Sequence, residues 1–128
     1  MRGLMIVGLF VLFLFTFGCE DTVRPADIVF PDVNVSYSQH VQPLFDQTCA
    51  FSGCHNDATR AGNLSLTSYH NLTQRPDIVF PGNPESSLLY IRISSQQLGP
   101  QMPMNRPPLN RNQQQGIRTW INEGAENN

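Results

Sequence analysis

The chain is 128 residues long, with 8 arginines, no lysine, 10 acidic side chains and a formal net charge of -2. Lacking any basic run, it has none of the electrostatic footprint of a nucleic-acid binder. Once the first 18 residues are set aside, about 110 remain, enough for one domain with one modest core.

The first element is Met1-Arg2 followed by the charge-free apolar run from Gly3 to Gly18. This is the pattern of an export signal. A membrane-spanning helix needs about 20 apolar residues, and Glu20 and Asp21 follow almost at once; a retained signal anchor is the competing reading. The ending Gly18-Cys19 resembles that of a bacterial lipoprotein signal, where a small residue precedes the cysteine that receives the lipid. On that resemblance residues 1–18 are a signal peptide and Cys19 is the lipidation site. The mature protein is then anchored in the cell envelope, facing the periplasm or the cell exterior. Of three cysteines, Cys19 takes the lipid, and Cys49 and Cys54 remain as a close pair in an oxidising compartment.

Residues 20–37 mix prolines, acids and short apolar runs. They read as a flexible tether with one edge strand, Asp27 to Phe30, stopped by Pro31. The fragment Arg24-Pro25-Ala26-Asp27-Ile28-Val29-Phe30-Pro31 recurs nearly intact as Arg75-Pro76-Asp77-Ile78-Val79-Phe80-Pro81. Coincidence explains this, and so does side-by-side packing of the two copies.

The domain proper, 38–128, reads as helical. Val41, Leu44 and Phe45 share one face of a first helix whose start lies near Pro43, between Ser38 and Gln42. A short helical piece follows from Thr67 to Leu72. Asn83 caps a helix that opens at Pro84 and carries Leu88, Leu89 and Ile91 toward Ile93. Four prolines between Gln96 and Leu109 forbid helix and central strand alike, leaving a long stiff loop. Asn110, paired with Gln113 in a capping box, opens a last helix with the stripe Ile117, Trp120, Ile121 and an end at Gly124. Gly116 inside it costs about 1 kcal/mol against alanine, so a close crossing with another helix is expected there.

The chemistry concentrates in Cys49-Ala50-Phe51-Ser52-Gly53-Cys54-His55. Two thiols with a histidine directly after the second suit c-type haem attachment: the sulfurs bond to the porphyrin edge and the imidazole turns under the iron. Four residues separate the cysteines instead of the usual two, and Gly53 can take the tight turn that folds the excess away. A Cys49–Cys54 disulfide, and a zinc site of Cys49, Cys54, His55 and a further ligand such as His40 or His70, are the alternatives.

The wider chain resembles the small single-haem cytochrome c domains of bacteria, from class I cytochrome c to the planctomycete type. The resemblance runs in order through Val41-Gln42-Pro43-Leu44-Phe45, the cysteine motif, Leu64-Ser65-Leu66, Pro81-Gly82-Asn83-Pro84-Glu85 with Leu88-Leu89-Tyr90, Met102-Pro103, and Trp120-Ile121-Asn122-Glu123-Gly124-Ala125. It implies an all-α, cytochrome c-like fold around one covalent haem c. It also implies a methionine as second axial ligand, Met102 before Pro103, with Met104 and then His70 as alternatives; a thioether raises the reduction potential relative to a second histidine. By the same resemblance Phe45 and Trp120 cross beneath one haem edge, and Leu64, Leu66, Leu88, Leu89 and Ile117 wall the porphyrin. Arg92 and Arg106 are candidates for a propionate. Electron transfer needs no acid, base or substrate pocket, and no nucleophilic or phosphate-binding motif is present, so the expected function is an electron carrier, not an enzyme, serving redox partner proteins of the envelope. The rival reading is a haem-free envelope lipoprotein stapled by a Cys49–Cys54 disulfide.

Overall fold

The computed structural model describes residues 24–95 and 97–128; the apolar leader and Cys19 lie outside them. Among the described residues the regular structure is helical, with no strand: α1 is Gln42–Thr48, α2 Tyr69–Thr73, α3 Leu88–Ser94 and α4 Arg111–Asn122. The fold is all-α.

Helix α4 forms as its local signals dictate. The Asn110 side chain accepts the Gln113 amide at 2.9 Å, and the Gln113 side chain accepts the Asn110 amide at 3.1 Å, which satisfies two orphan donors at once. Its stripe of Ile117, Trp120 and Ile121 is buried and forms the centre of the core.

The segment before α1 departs from a flexible tether. Pro25–Asp27 is a single 3-10 turn, and Ile28, Phe30, Val35 and Tyr37 are all buried. No edge strand forms, because the segment's partners are side chains of α4. Asn112 brackets Phe30, accepting its amide at 2.8 Å and donating to its carbonyl at 2.9 Å. One turn on, the Phe30 ring lies where a Cβ on Gly116 would be, 2.1 Å from Phe30 Cγ. Gly116 therefore admits an aromatic ring, not another helix. Glu123 accepts the amides of Asn34 and Val35 at 2.7 and 2.9 Å. Burying such side chains stabilises by about 1.5–3 kcal/mol each, which outweighs what proline and acid content suggest.

The two Arg-Pro copies do not pair; among the described residues no hydrogen bond joins them. The first copy sits on α4, while in the second the Ile78 carbonyl accepts the Leu89 amide at 3.0 Å, on α3.

Into α1 the chain enters through a wide helical turn, Tyr37–Val41, with i to i+5 bonds, so that Pro43 falls in the first turn of the α-helix, where its missing N–H costs nothing. Tyr37 is the hub of the aromatic core, its ring 5.1 Å from Tyr69, 5.5 Å from Trp120 and 6.5 Å from Phe45. Phe45 and Trp120 are thus joined through Tyr37. The helix expected from Pro84 to Ile93 is split into a 3-10 turn, Pro84–Ser86, and α3. Ser87 makes the break: it is fully buried, accepting the Phe80 amide and donating to the Asn83 carbonyl, both at 2.8 Å.

Candidate functional site

Cys49 closes α1, its amide donating to the Phe45 carbonyl at 2.8 Å. The chain then loops through Gly53, whose φ of +81° is the left-handed conformation expected of it. The His55 amide returns to the Cys49 carbonyl at 3.2 Å. The four intervening residues are thereby folded out of the way, and the imidazole follows the first cysteine in space. Behind it the His55 carbonyl accepts the Leu66 amide at 2.8 Å. Asp57 gathers Ser65, Thr67 and Asn71 on one carboxylate at 2.7 to 3.0 Å, and these hydroxyls hold its carboxyl below the usual carboxylate range. The motif loop is in this way tied to α2.

A cavity of about 410 Å3 opens beside the loop, walled by Leu64, Leu66, Ile78, Leu88, Leu89 and Ile93, and reached by Cys49, His55, Met102, Met104, Arg75 and Arg92. An apolar cavity of about 150 Å3 already admits benzene, so this one has room for a larger apolar ligand. Two observations say what kind. His55 Nδ1 is buried without a hydrogen-bond partner, alone in this among the buried side-chain nitrogens and oxygens of the described residues; such a group left unmet costs about 1–3 kcal/mol. The donors that share the cavity, imidazole, thioether and thiol, are soft to borderline ligands of the kind that hold haem iron and bond to the porphyrin edge.

The Cys49 thiol is pushed up to about 11 by burial. Thr48 spends its hydroxyl proton on the Leu44 carbonyl at 2.6 Å, so the contact between Thr48 Oγ1 and Cys49 Sγ at 3.1 Å leaves the thiol as donor. Cys54 is a half-buried free thiol, like Cys49, and does not line the cavity. Met102 is half-buried and packs on the core, whereas Met104 is 48% exposed. His70 is exposed, bonded to Gln74, and His40 accepts the Ser36 amide; neither reaches the cavity. Among the described residues no three of His, Cys, Asp and Glu gather as a metal site, which removes the zinc arrangement.

The expected walls are partly revised. Leu64, Leu66, Leu88 and Leu89 line the cavity, but Ile117 is buried in the core behind it. Arg106 lies over the Phe51 ring at 4.1 Å instead of reaching the cavity. Arg75 does reach it, held by the Gly62 carbonyl and by Asp77. Sequence reasoning missed Arg75 because it met that residue only as part of a repeat.

No curated protein and no solved structure matches the chain significantly. Residues 52–105 match the family model described as planctomycete cytochrome C. That span holds Cys54, His55, both loop methionines and the two cavity arginines, while Cys49 precedes it. Together with the all-α fold and a cavity whose donors suit haem, this match over less than half of the chain supports a cytochrome c-like domain.

Proposed function

We propose that the protein is an electron carrier holding one haem c in the cavity beside the Cys49–His55 loop. The observation that carries the reading is the meeting of His55, with its unmet buried nitrogen, and Met102 at one apolar cavity that Cys49 also lines. When bound, the haem supplies a one-electron Fe(III)/Fe(II) couple. His55 and Met102 would hold the iron, and the softness of the thioether would favour the reduced state. Cys49 and Cys54 would hold the group through thioethers, each thiol adding its S–H across one vinyl group. Arg75 and Arg92 are the cations placed for its carboxylates. The leucines and isoleucines exclude water, and α3 with the proline-rich loop keeps the ligands from reorganising as charge changes.

With His55 and Met102 both holding the iron, no coordination position would be left for a substrate, which fits a carrier better than an enzyme. The leader and the Gly18-Cys19 ending support export and lipid anchoring at Cys19, hence work in the bacterial cell envelope with redox partner proteins there. Expression with cytochrome maturation machinery, followed by intact mass and the spectrum of the denatured, reduced protein, tests the reading: one added haem supports it. A chain two hydrogens light and free of haem would favour the disulfide-stapled alternative.

A further inference from the structure

The proline-rich loop acts as the C-terminal cap of α3. A helix leaves its last four carbonyls without intrahelical partners. Here the Arg92 carbonyl accepts the Met102 amide at 2.7 Å and the Ile93 carbonyl accepts the Gln101 side chain, also at 2.7 Å. The Arg92 side chain closes the other end of the same stretch, its guanidinium donating to the Leu98 carbonyl at 2.6 Å. Between the two bonds lies Gly99, whose φ of +112° is a backbone conformation that side chains disfavour, and where a Cβ would stand 2.9 Å from Arg92 Nη1, so the backbone passes close over the guanidinium. One residue thus grips the loop at Leu98 through its side chain and at Met102 through its backbone.

We propose that Arg92 is the positioning residue for Met102, a latch that holds the methionine loop against α3 and so keeps the thioether at the iron. This rests on the haem reading for its consequence, but the latch is a property of the polypeptide. A guanidinium makes a charge-assisted bond to a carbonyl, stronger than a neutral one, and a loop whose residues 97–100 and 104–108 are exposed opens in proportion to the few contacts that hold it.

The test is hydrogen exchange of the full-length holoprotein, with the far-red charge-transfer band of thioether-bound ferric iron recorded on the same samples. In Arg92→Leu, amides between Leu98 and Met104 are expected to exchange about tenfold faster or more, with the band weakened and carbon monoxide binding the reduced protein. Arg92→Lys keeps a donor of shorter reach and should fall between; it also serves if the leucine variant does not fold. Arg118→Leu, which breaks the exposed pair with Glu85, should leave loop exchange and band as in the wild type. Unchanged exchange and band in both Arg92 variants, or an acceleration spread evenly over the chain, would overturn the latch. If the wild type carries no haem, the proposed function fails, and loop exchange in the haem-free chain still decides the latch.

Discussion

The carbonyl of Cys49 accepts the amide of His55 at 3.2 Å, so a motif with two extra residues still presents its histidine directly beside its first cysteine. The bond requires the reversal at Gly53, where φ is +81° and a Cβ would meet nothing within 4 Å. Gly53→Ala therefore carries a backbone penalty alone, about 1–2 kcal/mol. A lower melting temperature and a reduced haem yield are expected, with Gly53→Asn milder because asparagine tolerates the left-handed region. Equal stability and loading in the alanine variant would remove the role given to this turn.

Between the two loop methionines, Met102 packs on the core while Met104 is 48% exposed. Met102→Leu is expected to abolish the thioether–iron band and shift the midpoint potential by on the order of 0.1 V, within the ~0.8 V that axial ligands span. Met104→Leu should do neither. Spectra and potentiometry of both variants check the assignment, and the reverse pattern would move the ligand to Met104.

Local signals carried much of the fold. The cap of α4 was legible because Asn110 and Gln113 are three residues apart and satisfy each other without outside help. The cysteine motif was legible for the same reason, and so was the need for glycine at position 53. What could not be read was set by distant partners. Ser87 breaks a helix because Phe80 and Asn83 claim its hydroxyl, and Ile28, Phe30, Val35 and Tyr37 join the core because Asn112, Gly116 and Glu123 receive their segment from more than 80 positions away. Gly116 did announce a close approach; nothing in its neighbours said that the visitor was Phe30.

That contact makes a second stability test. Gly116→Ala would force a Cβ to within 2.1 Å of Phe30 Cγ and should cost about 1–3 kcal/mol by overpacking. Phe30→Ala alone should cost about 3–5 kcal/mol. In the double variant the alanine at 116 has room, and its better helix propensity should turn the second step neutral or favourable by up to about 1 kcal/mol. Additive losses in a denaturation cycle would contradict the packing described.

Alkaline stability should report whether Cys49 is free. Its thiol is pushed up to about 11 by burial, above the ordinary value near 8.5 expected unfolded. A raised folded value means that the unfolded chain loses its proton first as pH rises, so stability is full below that ordinary value and declines until the folded thiol ionises. Haem-free protein should lose about 1.4 kcal/mol per pH unit in that window, measured by urea titration. Below pH 10, where the buried Tyr37 hydroxyl does not yet contribute, haem-loaded protein and a Cys49→Ala variant should lack this decline, since neither has a Cys49 thiol to ionise; a decline shared by all three would assign it elsewhere.

The most direct test of the proposed function is covalent haem on the purified, exported chain. The wild type should show a mass increase of one haem and a c-type spectrum when denatured and reduced, and a Cys49→Ser, Cys54→Ser double variant should show neither. His55→Ala should disturb the native spectrum most of all single substitutions. A wild-type chain that leaves the native host without haem, its Cys49 and Cys54 joined as a disulfide, would contradict the assignment of the cavity.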